Sequence, residues 1–248
     1  MIESIRVISS MAVHYIKMGK IRKEYFYGNQ KHEKKDSRSH MYKVLQQLCR
    51  NMIKAANVTV QVTGQDYLPK EGPVLYVANH KSLFDIVVLV SLIDDPCIFI
   101  GKKEVSKMPL IGKWFDALGC IYIDREDIRQ SLQAIMAGIG ELKGGQSVVI
   151  FPEGTRTSDK GIKDFKEGSF KLASKTQVPI VPIALQDTYK IFEEKRRVEK
   201  AKVYVNIGEM IKQQDLEEQD KKQLPHYVQK KIEALLQQVA KDNGDISE

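Results

Sequence analysis

The apolar positions fall into two regimes that meet near residue 57. Upstream they recur at helical spacing. Ile5, Ile8, Ala12 and Tyr15/Ile16 form a stripe widened by Val7, Met11 and Met18, which predicts a helix over residues 2–18. A polar, basic stretch over 20–36 follows, with Gly28-Asn29 as its expected break. Met41, Val44/Leu45, Leu48 and Met52 then mark a second amphipathic helix from about Ser37 to Ala56, with Arg38, Lys43, Arg50 and Lys54 among its charged positions.

Downstream, short apolar runs alternate with helical patterns. Strands are expected at Val58–Thr63, Val74–Ala78, Cys97–Ile100, Ile121–Ile123, Ser147–Phe151, Ile180–Leu185 and Val203–Ile207. Helices are expected at Phe84–Leu92, Ile128–Leu142 and Phe165–Lys175, with a polar helix over about Gln214–Ala240. This alternation predicts an α/β fold, a mixed sheet flanked by helices. Two units are expected: an amphipathic helical segment over 1–56 and an α/β domain over 57–248.

The 248 residues are 42% hydrophobic and 29% charged, ordinary globular usage that excludes wholesale disorder. Mean hydropathy is −0.33, and no run of about 18 apolar residues occurs, which argues against a membrane-spanning helix. No secretory leader pattern opens the chain. Cys49, Cys97 and Cys120 are too widely spaced for a CxxC pair, and inert, reduced thiols are expected.

Charge divides the chain as hydropathy does. Residues 1–56 hold 12 Lys and Arg against 4 Asp and Glu, whereas the remainder holds 27 against 28. A basic surplus confined to one stretch suits an anionic surface, either a membrane or a nucleic acid. The basic residues are not interleaved with aromatic ones, so a nucleic-acid partner is not expected. Two basic amphipathic helices suit docking on a membrane surface. They suit equally well two helices packed on the domain with a solvated basic face.

Candidate chemistry lies where expected strands end. In Asn79-His80-Lys81-Ser82-Leu83-Phe84-Asp85, an imidazole and a carboxylate stand five residues apart. On one helix they would diverge by about 140°. They meet only if His80 stays in the loop and Asp85 enters the first turn, with Ser82 as its cap. Such a pair makes His80 a general base; a plain Ser-x-x-Asp capping box needs no catalysis. The loop Phe151-Pro152-Glu153-Gly154-Thr155-Arg156 offers a glycine for close backbone approach and a guanidinium suited to phosphate oxygens, or is a surface turn. Lys102 and Arg125 follow two further strands. The combination points to a base beside an anionic substrate. No phosphate-binding P-loop, dinucleotide fingerprint, zinc-ligand spacing or nucleophile elbow is present.

Asn79-His80-x4-Asp85, Lys102-x-Glu104, Phe151-Pro-Glu-Gly-Thr-Arg156 and Val178-Pro179-Ile-Val-Pro182 occur in the order seen in glycerolipid acyltransferases. Over about residues 57–210 the chain most resembles the bacterial 1-acyl-sn-glycerol-3-phosphate acyltransferases. The resemblance implies acyl transfer from acyl-CoA or an acyl carrier protein to the sn-2 hydroxyl of lysophosphatidic acid. His80 and Asp85 would be catalytic, without an acyl-enzyme. Lys102, Arg125, Glu153, Gly154, Thr155 and Arg156 would hold or shape the site for the acceptor phosphate. Backbone amides near the helix start would steady the tetrahedral oxyanion. No metal or organic cofactor is implied. The implied location is the cytoplasmic face of the cell membrane, bound peripherally to an anionic surface. Glycerol-3-phosphate or another lysolipid as acceptor, or a non-catalytic membrane-binding module, are the alternatives.

Overall fold

The computed structural model describes residues 2–17, 34–108, 111–157 and 161–242. Met18, Pro109 and the expected break at Gly28-Asn29 lie outside the described residues. Two helices open the fold, α1 (Ile2–Lys17) and α2 (Lys34–Ala55). The order then runs β1 (Thr59–Thr63), β2 (Leu75–Ala78), α3 (Phe84–Leu92), β3 (Cys97–Lys102), α4 (Ile111–Leu118), β4 (Ile121–Ile123), α5 (Ile128–Lys143) and β5 (Ser147–Ile150). It closes with α6 (Glu167–Thr176), β6 (Ile180–Gln186), β7 (Lys202–Ile207), α7 (Glu218–Lys222) and α8 (Leu224–Asp242).

Two expectations change. The polar C-terminal helix is divided, because Pro225 has no amide hydrogen to continue α7 and is tolerated only in the first turn of α8. Helix α4 was not expected. Its Trp114, Phe115 and Leu118 are buried. Gly112 is there because a Cβ would lie 2.7 Å from the Ser106 carbonyl oxygen.

The seven strands form one sheet in the order β1-β7-β6-β2-β5-β3-β4. Neighbours run parallel except β6 and β7, which are antiparallel. Strands β2 and β5 are buried along their whole length, as their unbroken apolar sequence requires of strands covered on both faces. The chain leaves β2 through α3 toward β3, and leaves β5 through α6 in the opposite direction to β6. Right-handed crossovers place α3 and α6 on opposite faces. A crevice therefore opens between the carboxyl ends of β2 and β5.

Helix α2 belongs to the layer over α3 and α4, and α1 packs on α2. Met41, Tyr42, Leu48 and Cys49 of α2 are buried in the core. Tyr42 Oη and Gln46 Nε2 both donate to the Ile93 carbonyl, at 3.1 and 2.8 Å, where α3 turns into β3. Arg38 pairs with Glu141 near the end of α5 at 2.7 Å. The face of α1 differs: Val7 is buried, whereas Ile2, Ile5, Ile8, Val13 and Ile16 are exposed.

Tyr42→Ala is expected to cost about 3–5 kcal/mol, as for a large buried aromatic. Ile5→Ala, on the outer face of α1, is expected to stay within about 0.5 kcal/mol of the parent. Urea unfolding followed by circular dichroism measures both, and equal midpoints would contradict the packing of α2.

Candidate active site

Strand β2 delivers the site. At its end Asn79 is fully buried and pinned to β6: its amide donates to the Leu185 carbonyl at 2.9 Å and its oxygen accepts the Leu185 N–H at 2.7 Å. His80 stays in the turn before α3, and Asp85 enters the first turn of that helix. Their side chains meet, with His80 Nδ1 2.7 Å from Asp85 Oδ2. The same oxygen accepts the amides of Lys81 and Ser82 at 2.7 and 2.8 Å. Ser82 Oγ in turn accepts the Phe84 amide at 2.9 Å. One carboxylate thus both folds the turn back onto the helix start and holds the imidazole. The His80 ring stacks on Phe151 at 4.1 Å with the planes 17° apart.

With Nδ1–H directed at Asp85, Nε2 carries the imidazole lone pair and makes no hydrogen bond among the described residues. The His80 side chain retains 16% exposure and that of Asp85 none. A proton acceptor therefore lies at the mouth of the crevice, backed by a buried carboxylate.

Glu153 braces the His80 turn against the loop after β5. It is buried beneath the site, where Oε1 accepts the His80 amide at 2.6 Å and Oε2 accepts the Lys163 amide at 2.9 Å. A buried anion already surrounded by donors braces the loop and would repel a phosphate. Thr157 completes the brace by donating its amide to the His80 carbonyl at 2.9 Å. Gly154 takes a positive φ of 73°, and Lys166 lies against its α-carbon, 3.0 Å from where a Cβ would be. Thr155 is exposed, its hydroxyl directed at the Arg156 carbonyl at 3.5 Å.

The cations divide into three positions. Arg156 is half exposed and pairs with Glu193 at 3.0 Å. Arg125 lines a cavity of about 230 Å³ with Phe151, Gly154, Lys166, Gly168 and Ser169. Burial lowers its pKa, opposed in part by the Glu104 carboxylate, which lies beyond ion-pair distance. Lys102 pairs with Glu104 at 3.2 Å on the exposed end of β3. Lys166 and Glu193 escaped the sequence reading. Lys166 opens an expected helix, a signal that was legible; Glu193 sits in a charged loop that gives none.

The amides at the helix start, expected to steady an oxyanion, all have acceptors in this structure. Every amide from His80 to Asp85 is already donated: to Glu153, to Asp85 twice, to Glu193, and to the hydroxyl and carbonyl of Ser82. The thiols offer no nucleophile, since burial pushes Cys49 and Cys120 up to about 12 and raises Cys97 well above its usual value.

A family model described as Acyltransferase matches residues 59–186, which carry His80, Asp85 and Arg156. The chain belongs to the acyltransferase family. It is 28% identical over 178 residues to the 1-acyl-sn-glycerol-3-phosphate acyltransferase of Borreliella burgdorferi, covering 71% of each chain. It is 39% identical over 131 residues to the chloroplastic 1-acyl-sn-glycerol-3-phosphate acyltransferase BAT2 of Brassica napus, spanning 52% of this chain and 38% of that longer one. The crystal structure of the 1-acyl-sn-glycerophosphate acyltransferase PlsC from Thermotoga maritima superposes with a TM-score of 0.80 at 23% identity, over 96% of this chain and 94% of that one, which shows a shared fold.

Two substitutions separate the two roles of Asp85 in this acyltransferase. Asp85→Asn can keep an oxygen where Oδ2 stands; it removes the charge and places an amide nitrogen where Oδ1, which has no hydrogen-bond partner among the described residues, now lies. It is expected to melt within a few degrees of the parent and to lose about 10²–10⁴-fold in kcat. Asp85→Ala removes the acceptor of three donors and is expected to lose stability as well. Melting curves and initial rates on both proteins check this; full activity in Asp85→Asn would contradict it.

Proposed function

We propose that the protein transfers an acyl group from a thioester of coenzyme A or acyl carrier protein to the sn-2 hydroxyl of lysophosphatidic acid, forming phosphatidic acid. The observation that carries this reading is the 2.7 Å contact between His80 Nδ1 and the buried Asp85 carboxylate. The names of the relatives supply the substrate class. His80 Nε2 removes the hydroxyl proton as the oxygen attacks the thioester carbonyl. A C–O bond forms and, on collapse of the tetrahedral intermediate, the C–S bond breaks. The proton held by His80 passes to the departing thiolate. Asp85 keeps the imidazole in the required tautomer and stabilises its charged form. A thioester is already activated, so direct attack needs no acyl-enzyme.

The acceptor's phosphate fits the cations. Arg125 is half buried, makes no ion pair within 4 Å among the described residues, and feels the Glu104 carboxylate only at longer range, so an anion in the cavity would stabilise its charge. Arg156 is held beside the His80 turn, because its neighbour Thr157 is bonded to the His80 carbonyl. Lys102 stands apart, neutralised by Glu104. An apolar cavity of about 120 Å³ begins at Leu83 and Phe84 and continues between α1, α2 and α4, lined by Met11, Leu48 and Trp114. Its composition suits an acyl chain.

Membrane docking belongs to the same reading, through α1. The Ser4 hydroxyl accepts the Val198 amide at 3.0 Å, in the connection that leaves the carboxyl end of β6. The start of α1 therefore lies at the catalytic edge, with its isoleucine row outward. No helix of the described residues is long and apolar enough to cross a membrane. The basic surplus of residues 1–56 favours an anionic surface, by about 1 kcal/mol per residue close to it. Peripheral attachment at the cytoplasmic face of the cell membrane, where thioester donors reside, follows.

His80→Ala is expected to fold normally and to lose about 10²–10⁴-fold in turnover, measured as thiol release with lysophosphatidic acid. Near-normal activity of the folded variant would overturn the mechanism. A wild type that uses glycerol-3-phosphate and ignores lysophosphatidic acid would overturn the acceptor.

Replacing Ile5, Ile8 and Ile16 together by Gln is expected to weaken binding to anionic vesicles at least about tenfold, since burying each side chain contributes about 1.5–3 kcal/mol. The comparison is the exposed row of α5, Ile128, Leu132 and Met136, similarly replaced. Vesicle co-sedimentation of the two proteins decides, and a larger loss from the α5 row would contradict docking through α1.

A further inference from the structure

Glu193 lies outside every motif and beyond the family match, in the connection between β6 and β7. That connection is fixed on both sides of it. The Glu194 amide donates to the Tyr189 carbonyl at 3.1 Å and the Glu199 amide to the Ile191 carbonyl at 2.9 Å. Ile191 is fully buried and Phe192 packs against the core. From this anchored position the carboxylate reaches across to α3. Oε1 accepts the Leu83 amide at 2.7 Å and Oε2 accepts the Ser82 hydroxyl at 2.6 Å. Oε1 also accepts from Arg156 Nη1 at 3.0 Å.

These partners share one property: each adjoins the reacting groups. Ser82 gives its amide to Asp85 and its hydroxyl to Glu193, so two carboxylates grip one turn from opposite sides. Arg156 is pinned by one nitrogen, Nη1. A guanidinium carries five N–H donors in a rigid plane, and one so held still presents its other nitrogens to an anion. A salt bridge that served the fold alone would have no reason to join the helix start beneath His80 to this particular cation.

We propose that Glu193 is a positioning residue for the transfer reaction, fixing the turn that carries the His80–Asp85 pair and aiming Arg156 at the acceptor's phosphate. The inference rests on the acceptor proposed above. It makes the β6–β7 connection part of the site, which unites three separate stretches of sequence around the crevice.

The test rests on Glu193→Gln, which keeps the size of the side chain and an oxygen for the Leu83 amide while removing the charge that holds Arg156. With lysophosphatidic acid and an acyl thioester, it is expected to raise the acceptor KM about three- to tenfold. The donor KM and the melting temperature should stay near their parent values. Glu193→Ala also strips the turn of its acceptors, and kcat should fall about ten- to a hundredfold. In an Arg156→Ala background, Glu193→Gln should have no further effect on acceptor KM. An unchanged acceptor KM in the folded Glu193→Gln protein would overturn the inference. So would an equal penalty with and without Arg156, which marks a brace of the fold alone. A wild type that does not acylate lysophosphatidic acid overturns the proposed function instead. A wild type that does, with Glu193→Gln kinetically identical to it, overturns this inference only.

Discussion

One carboxylate oxygen holds together the sheet edge that carries His80. Asp85 Oδ2 has no solvent, and it accepts the His80 ring nitrogen and the amides of Lys81 and Ser82. A buried charge is tolerated only when donors surround it, and these three are the donors. The constraint works in both directions. The turn must fold back on the helix start to satisfy the carboxylate, and in doing so it sets the imidazole at the mouth of the crevice. Burial of β2 and the grip of Asn79 on β6 put that turn at the carboxyl end of the sheet. The helix N-terminus adds a favourable field for the same anion.

Two further carboxylates extend the pattern. Glu153 holds the His80 amide from below and ties it to the loop after β5. Glu193 holds Ser82 and Leu83 from the side and reaches Arg156. The three acids accept the amides of His80, Lys81, Ser82 and Leu83, and Ser82 accepts those of Phe84 and Asp85. Any oxyanion donor must therefore come from elsewhere in the crevice. They also explain why the turn before α3 holds His80 in one place. The turn and the His80 ring are held by the same oxygen, so losing the charge and losing the acceptor are separable events.

Legibility in the sequence followed local pattern. Strands such as Val74–Ala78 and Ser147–Phe151 announced themselves as unbroken apolar runs, because each is covered on both faces. The separation of His80 and Asp85 and the glycine of the Phe151–Arg156 loop were readable, since short-range turn chemistry fixes them. The order of the strands was not readable, because crossovers that move in two directions leave no local trace. Helix α2 looked like a surface element on charge, yet Tyr42 and Met41 are buried and Arg38 pairs with Glu141. Glu153 was readable as part of the loop after β5, but its partners, the His80 and Lys163 amides, were not. Glu193 stands 111 residues from Ser82, and no spacing rule connects such positions.

The most direct test of His80 as a base, not a carrier of the acyl group, is intact-protein mass after mixing with acyl thioester. The expected result without acceptor is an unmodified protein mass and no thiol release above the buffer rate. Adding lysophosphatidic acid should then release one thiol for each phosphatidic acid formed. An acyl adduct on the protein that accumulates without acceptor and discharges onto it would contradict direct transfer.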